Sequence, residues 1–266
     1  MEFTDQLNRK IFLSGIPQRI VSLVPSQTEL LVDLGLMIEL VGITKFCIHP
    51  AEIRSSATII GGTKNINIEK IRLLKPDLII ANKEENELSQ IETLAHEFPV
   101  WISDIRTLDD AINMIRSVAE ITGKQAGGET MISEILKSFA DLSANLGVLN
   151  RKKVAYLIWN EPIMTVGRDT FIHNMLHHSG YINVFENHDD SRYPVVSAED
   201  LKNAEPELLF LSSEPFPFGD VHLQHFKSLL PHTGIFKVDG EMFSWYGSRL
   251  LKATSYFKQL FREINS

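Results

Sequence analysis

The chain has 266 residues, 44% of them hydrophobic and 23% charged, with a net charge of −8, a globular composition with room for one large or two small domains. No dense Lys/Arg cluster points to nucleic acid or an anionic membrane as partner, and no apolar run approaches the roughly 20 residues of a membrane span. Cys47 is the only cysteine, which excludes an internal disulfide and a cysteine zinc site. The polar start, Met1 to Lys10, lacks the basic stretch, apolar core and small-residue cleavage site of a secretory leader. As written, this predicts a cytoplasmic chain.

Residues 1–18 read as an edge hairpin or arm anchored by Phe3, Ile11 and Phe12, with a turn from Gly15 to Pro17. Arg19 to Val24 is a short, β-branched, buried strand ending at Pro25. Ser26-Gln-Thr-Glu29 has capping-box spacing, which predicts a helix starting there and stopping at Gly35. Leu40 to Thr44 is a second strand, followed by an irregular loop from Phe46 to Pro50. A short strand (58–62), a helix (67–74), a buried strand (76–81), a polar loop (82–86), a helix (87–98), a strand (100–102) and an amphipathic helix (108–122) follow. Alternating strands and helices imply a mostly parallel sheet covered on both faces.

Between Lys124 and Gly147 the apolar positions Ile132, Ile135, Leu136, Phe139, Leu142 and Leu146 form one helical stripe, with Gly147 as the C-terminal stop. Gly127-Gly128 costs helix propensity, so the helix is expected to start only near Glu129 or to bend at the pair. The alternation then restarts: strand 153–159, loop 160–169, helix 170–180, strand 208–211, strand 234–238 and a closing helix 248–264. The two halves echo each other. Ile68 to Ile80 matches Ala198 to Phe210 at a spacing of 130 residues, each reading as helix, Pro, acid, apolar strand. Continued, this register sets Glu84 against Glu214. The expected organisation is an N-terminal α/β lobe (1–122), a connecting backbone helix (123–148) and a C-terminal α/β lobe (149–266), with a ligand cleft between two Rossmann-like lobes.

Several segments resemble the substrate-binding proteins of ABC importers for vitamin B12, haem and iron–siderophores, the class with a single long helix as backbone. They are Arg19-Ile-Val-Ser-Leu-Val-Pro-Ser-Gln-Thr-Glu29, Leu40-Val-Gly-Ile-Thr44 and Leu74-Lys-Pro-Asp-Leu-Ile-Ile80 in the first half. In the second they are Ile158 to Phe171, Met175 to Gly180, Asn183-Val184 and Arg192-Tyr-Pro-Val-Val-Ser197. The cobalamin-binding branch is the most similar. The resemblance implies no catalysis, no cofactor, a monomer, and capture of cobalamin, or else haem or a ferric siderophore, for transporter membrane subunits. It also implies a periplasmic location if a leader precedes this chain. In this class each lobe offers an acid to an arginine pocket of the membrane subunit, which singles out Glu84 and Glu214 for docking, although exposed glutamates after strands are ordinary.

Loops at the C-terminal ends of parallel strands are where α/β sheets bind ligands. They carry the candidate ligand-binding residues Pro25, Ser26, Phe46, Asn82, Trp159, Trp245 and Tyr246, with Arg249 just before the last helix. Aromatic faces and a few polar groups suit a large flat ligand, whereas core or rim packing is the alternative for each aromatic. Ser26 at a helix N-terminus suits an anionic group or acts only as a cap. Arg249 reads equally as structural or ligand-facing. Cobalamin binders of the class carry an aromatic near the position of Asn82, and an asparagine cannot pack on a ligand in that way.

His173 and His177, four apart on a helix, have metal-binding spacing but no carboxylate or cysteine at ligand spacing, so they and His178 read as surface histidines. His222, His225 and His232 fall in a loop-rich stretch. Cys47 reads as a small buried residue. G-x-S-x-G, H-E-x-x-H and a glycine-rich dinucleotide loop are absent, and Gly61-Gly-Thr-Lys64 lacks phosphate-loop spacing. Two alternatives stand beside the importer reading: a cytoplasmic carrier or sensor of such a ligand, and a metal-dependent enzyme using the histidines of the C-terminal lobe.

Overall fold

A computed structural model describes residues 1–146, 151–189 and 191–265. The chain divides into two compact units: Met1–Ile105 with Asp109–Glu134 and Tyr246–Arg249, and Arg106–Leu108 with Ile135–Trp245 and Leu250–Ser266.

The first unit opens with an antiparallel hairpin, β1 (Glu2–Thr4) and β2 (Lys10–Phe12). Ile11 is buried and Phe12 is exposed, so only the former anchors it. There follow β3 (Ile20–Ser22), α1 (Pro25–Asp33), β4 (Leu40–Ile43), α2 (Ile53–Ser56) and β5 (Thr58–Ile59). After these come α3 (Ile68–Leu74), β6 (Leu78–Asn82), α4 (Leu88–Ala95), β7 (Val100–Ser103) and α5 (Leu108–Ile121). The five strands form one parallel sheet in the order β5-β4-β3-β6-β7. Central β3 and β6 are buried at every residue, which is why they read as unbroken apolar runs. One face packs Val21, Leu23, Ile79, Ala81, Val100 and Ile102 against Ile71, Ile91 and Leu94 of α3 and α4.

Helix α6 (Gln125–Leu146) runs through both glycines, and its residues divide between the two units after Glu134. The expected start near Glu129 is therefore corrected to Gln125; Gly147 lies outside the described residues. The reason is close approach. A Cβ on Gly128 would sit 2.4 Å from the Cβ of Ala119 on α5, so the missing side chain is what lets the two helices touch. Gly127 has no such neighbour: its nearest is Leu34 Cδ2, at 3.8 Å.

The second unit contains β8 (Lys153–Leu157), α7 (Phe171–His178), β9 (Ile182–Asn183), α8 (Ala198–Asn203), β10 (Leu208–Ser212), α9 (Asp220–Leu229), β11 (Gly234–Val238), α10 (Gly240–Ser244) and α11 (Leu250–Asn265). Its sheet is also parallel, in the order β11-β10-β8-β9. Leu209, Leu211, Ala155 and Leu157 pack against Leu201, Phe218 and Phe226. His222 and His225 lie on α9, not in a loop.

The 130-residue echo extends to hydrogen bonds. Lys75 and Glu205 both have positive φ, at 48° and 43°. Asp77 accepts the Arg19 N–H through its side chain at 2.9 Å and donates its own N–H to the Arg19 carbonyl. Glu207 does both to Lys153. Each unit thus fixes the start of its β3 or β8 strand with the acid that precedes the neighbouring strand.

Candidate functional site

The candidate residues lie mostly past the C-terminal ends of the strands. In the first unit Pro25 is the first residue of α1, a position where its missing N–H costs nothing. The N-cap is Val24, with no side-chain cap, so the capping box expected from Ser26 and Glu29 is not formed. Ser26 is buried within the first turn. Glu29 instead accepts a hydrogen bond from Arg249 Nε at 2.8 Å, in an ion pair whose side chains are 5% and 6% exposed. The Arg249 guanidinium thereby ties the segment Tyr246–Arg249 to Glu29 of α1.

Thr28 and Thr44 hydroxyls lie 3.1 and 3.2 Å from Cys47 Sγ, and burial pushes the thiol pKa up. Cys47 is therefore an unreactive packing residue. Next to it Phe46 is 49% exposed, with Lys45 Nζ 5.0 Å from its ring centroid. This cation–π contact leaves the loop with one aromatic surface and one positive charge beside it.

Asn82 is buried and committed to its own loop. Its Oδ1 accepts the N–H groups of Glu84 at 2.8 Å and Glu85 at 3.0 Å, while Nδ2 donates to Ser103 Oγ at 3.0 Å. Asn86 completes the turn by accepting the Asn82 N–H and donating to the Leu23 and Thr63 carbonyls. Asn82 thereby shapes the segment that carries Glu84. Lys64 Nζ donates to the Glu84 carbonyl.

In the second unit the chain leaves β8 at Trp159, which is 39% exposed. Met164 N–H donates to the Trp159 carbonyl and the indole N–H donates to the Glu161 carbonyl at 3.1 Å, so backbone and ring are both tethered. The ring makes an edge-to-face pair with Phe216 at 5.4 Å. Glu214 takes a different course from Glu84. Its Oε1 accepts from Ser244 Oγ at 2.5 Å and from Trp245 Nε1 at 2.9 Å. Burial, the largest influence, pushes its pKa up, against the pull of those two donors and with the further push of nearby Glu241 and Asp239. Gly240 makes the fold possible, since a Cβ there would lie 2.7 Å from Glu214 Cγ and 2.4 Å from Ser212 Oγ. Trp245 and Tyr246 are both buried, Trp245 as an anchor for Glu214.

Sequence reasoning missed two features of this unit. One is the aromatic run Phe216, Phe218 and His222, whose signal was the Pro215-Phe-Pro-Phe-Gly219 stretch after β10. The other is an open cavity of about 480 Å³ lined by Arg168, Asp169, Asp189 and Ser191. Asp169 there lies 3.3 Å from Arg106 and 4.0 Å from Arg192. These residues come from separate loops, so no local motif announces them.

The histidines do not converge. His173 Nε2 is 3.9 Å from Glu186, burial pulls its pKa down, and His177 Nδ1 is 3.2 Å from Arg151 Nη1. His222 Nδ1 accepts the Gly219 N–H at 2.9 Å, which fixes the neutral ring's proton on Nε2. Among the described residues no three metal-ligating groups come together, and no helix is long and apolar enough to cross a membrane.

A family model described as periplasmic binding protein matches residues 20–228. The vitamin B12-binding protein of Vibrio parahaemolyticus serotype O3:K6 is 27% identical over 196 residues, 73% of this chain and 70% of that protein. Among solved structures, the periplasmic vitamin B12 binding protein BtuF of Vibrio cholerae aligns with a TM-score of 0.80 at 22% identity, over 94% of this chain and 99% of that one. The apo form of the periplasmic heme-binding protein RhuT from Roseiflexus sp. RS-1 aligns at 0.77 and 23% identity, over 91% and 98%. These proteins bind and do not catalyse, and the two solved folds are α/β with the same architecture. The chain belongs to the periplasmic binding protein family.

Proposed function

We propose that this chain captures a metal-containing macrocycle or chelate for an ABC-type importer, with cobalamin first, and haem or a ferric siderophore next. The observation that carries the reading is the pair of exposed aromatics, Phe46 after β4 and Trp159 after β8, each on a loop at the C-terminal end of a parallel sheet. Such positions bind ligands in open α/β sheets, and aromatic faces suit a large flat ligand. The relatives named as vitamin B12-binding proteins support cobalamin as the first candidate. Pro25 and Ser26, on the first turn of α1, complete the proposed set of ligand-binding residues with Asn82, Trp245, Tyr246 and Arg249.

Binding needs no covalent chemistry, because burying the faces of a macrocycle supplies the free energy. Family membership supports work outside the cytoplasm alongside membrane subunits. Glu84 carries the docking part of this proposal. Glu214 carries it in the second unit, where Ser244 and Trp245 hold one carboxylate oxygen, Oε1. The test is a panel of cyanocobalamin, haemin and ferric siderophores, measured by calorimetry and by tryptophan emission on folded protein. Saturable one-to-one binding of one member supports the reading; no binding by any of them refutes it.

A further inference from the structure

The second unit contains a run of aromatic rings that leads from its hydrophobic core to the surface. It begins in the core at Phe226, which is fully buried and lies 6.4 Å from Phe218. Phe218 lies 4.8 Å from Phe216 and 5.6 Å from His222, and His222 lies 5.1 Å from Phe216. Phe216 in turn meets Trp159 edge-to-face at 5.4 Å. The contacts run outward ring by ring and end on an exposed indole.

The rings are held from more than one side, and Phe216 packs against the core cluster. His222 is held by the Gly219 N–H, Phe218 sits in the core cluster, and Trp159 is tied by Met164 and by the Glu161 carbonyl. An isolated surface tryptophan would turn about its side-chain bonds. This one has a ring behind it and a hydrogen bond on its only polar atom. What it still offers is π surface, since an edge-to-face neighbour covers at most one of the two indole faces.

We propose that Phe216 is a positioning residue that holds the exposed Trp159 indole preorganised for the apolar ring face of a macrocycle. The inference rests on the macrocycle-binding reading above and adds a residue and a mechanism to it. A rigid aromatic wall loses little side-chain freedom on binding, so more of the contact energy appears as affinity. The indole N–H is already bonded, so the wall recognises ring surface and not the polar fringe.

The test uses the full chain and two probes, cyanocobalamin and haemin, with affinities from calorimetry. Acrylamide quenching of the free protein gives a second readout. Of the three tryptophans, Trp101 and Trp245 are buried, so quenching reports mainly on Trp159. The expected result is that Trp159→Ala weakens the bound probe about tenfold or more, and Phe216→Ala about two- to tenfold. Phe216→Ala should also raise acrylamide quenching in the absence of ligand, and Phe216→Tyr should restore both readouts. Phe216→Leu serves if the alanine variant fails to fold, with the same direction expected. Wild-type affinity in the Phe216 variants, or weakened binding with unchanged quenching, overturns the platform while leaving the macrocycle reading in place. Failure of the wild type to bind either probe removes both.

Discussion

The glycine pair at the start of α6 gives two substitutions of the same chemistry with opposite expected signs. Gly127→Ala adds a methyl whose nearest neighbour is Leu34 Cδ2 at 3.8 Å, an ordinary contact. The variant should gain about 0.4–1 kcal/mol, chiefly because alanine has fewer unfolded conformations to lose. Gly128→Ala gains the same term and meets a different obstacle. Its Cβ would lie 2.4 Å from Ala119 Cβ. Carbon atoms pack at about 3.5–4.0 Å, so α5 and α6 would have to part by about 1–1.5 Å at that point. Overpacking of this kind costs about 1–3 kcal/mol, which outweighs the helical gain and leaves a net loss of about 0.5–2 kcal/mol. At about 2–4 °C per kcal/mol for a chain of this size, the melting temperatures should move apart by several degrees in opposite directions.

Thermal and urea denaturation of the two variants measure this directly, and a third variant makes the mechanism testable. Ala119→Gly costs about 1 kcal/mol alone, as a glycine inside α5. Combined with Gly128→Ala, it exchanges the methyl between the helices and removes the clash. The double variant should be more stable than the sum of the single losses by about 1–2 kcal/mol. The reasoning is refuted if Gly128→Ala is as stable as Gly127→Ala, or if the cycle shows no coupling.

Arg249→Met should cost about 3–5 kcal/mol, because it leaves the Glu29 carboxylate buried without its partner at 2.8 Å, while Glu29→Met with Arg249→Met should recover most of the loss. Unfolding curves decide it; weakened ligand binding at unchanged stability would instead make Arg249 a ligand residue. Glu214→Gln should flatten the pH dependence of stability. The folded acid holds its proton more tightly than the unfolded one, so its contribution is greatest below the ordinary value of 4.5 and is lost as pH rises toward the raised folded value. The amide keeps an acceptor for Ser244 and Trp245, so the variant should match or exceed the wild type at neutral pH, and a clear loss there would refute the buried-acid reading. Asn82→Ala should cost about 1–3 kcal/mol in ligand-free protein, through the orphaned N–H groups of Glu84 and Glu85. Denaturation without ligand checks it, and unchanged stability would refute that loop-shaping role.

The strands were legible because parallel strands buried on both faces carry uninterrupted apolar runs, as in Leu78-Ile-Ile-Ala81. Long α6 was legible from its stripe. What misled was every place where a local rule met a distant partner. Ser26-Gln-Thr-Glu29 has the spacing of a capping box, but Pro25 occupies the first helical position and Glu29 is claimed by a residue 220 positions away. Gly128 looks like a helix weakness until Ala119 is set beside it. The Pro-Phe-Pro-Phe run hid both the ring stack and the start of α9 at Asp220, because proline-rich segments read as loops. Among the candidate ligand residues, exposure separated Phe46 and Trp159 from Trp245 and Tyr246, and residue type alone does not carry exposure.

The internal repeat shows where the two units were free to diverge. At the start of their strands they are built alike: Asp77 grips Arg19 and Glu207 grips Lys153 through the same pair of hydrogen bonds. At the other end the likeness persists for one more step, since Asn82 Oδ1 accepts the Glu84 N–H and Ser212 Oγ accepts the Glu214 N–H. Beyond that it fails. Glu84 lies on a turn built by Asn82 and Asn86, whereas the Glu214 carboxylate folds over Gly240 to meet Ser244 and Trp245. A clamp at a strand's beginning sets register and tolerates little change, because a slip there would turn apolar side chains out of the core. A loop past the strand's end carries no such constraint, so the same backbone plan can give two half-buried acids different surroundings. Register alone therefore pairs Glu84 with Glu214 as positions; the surroundings of each acid follow from what its own loop places within reach.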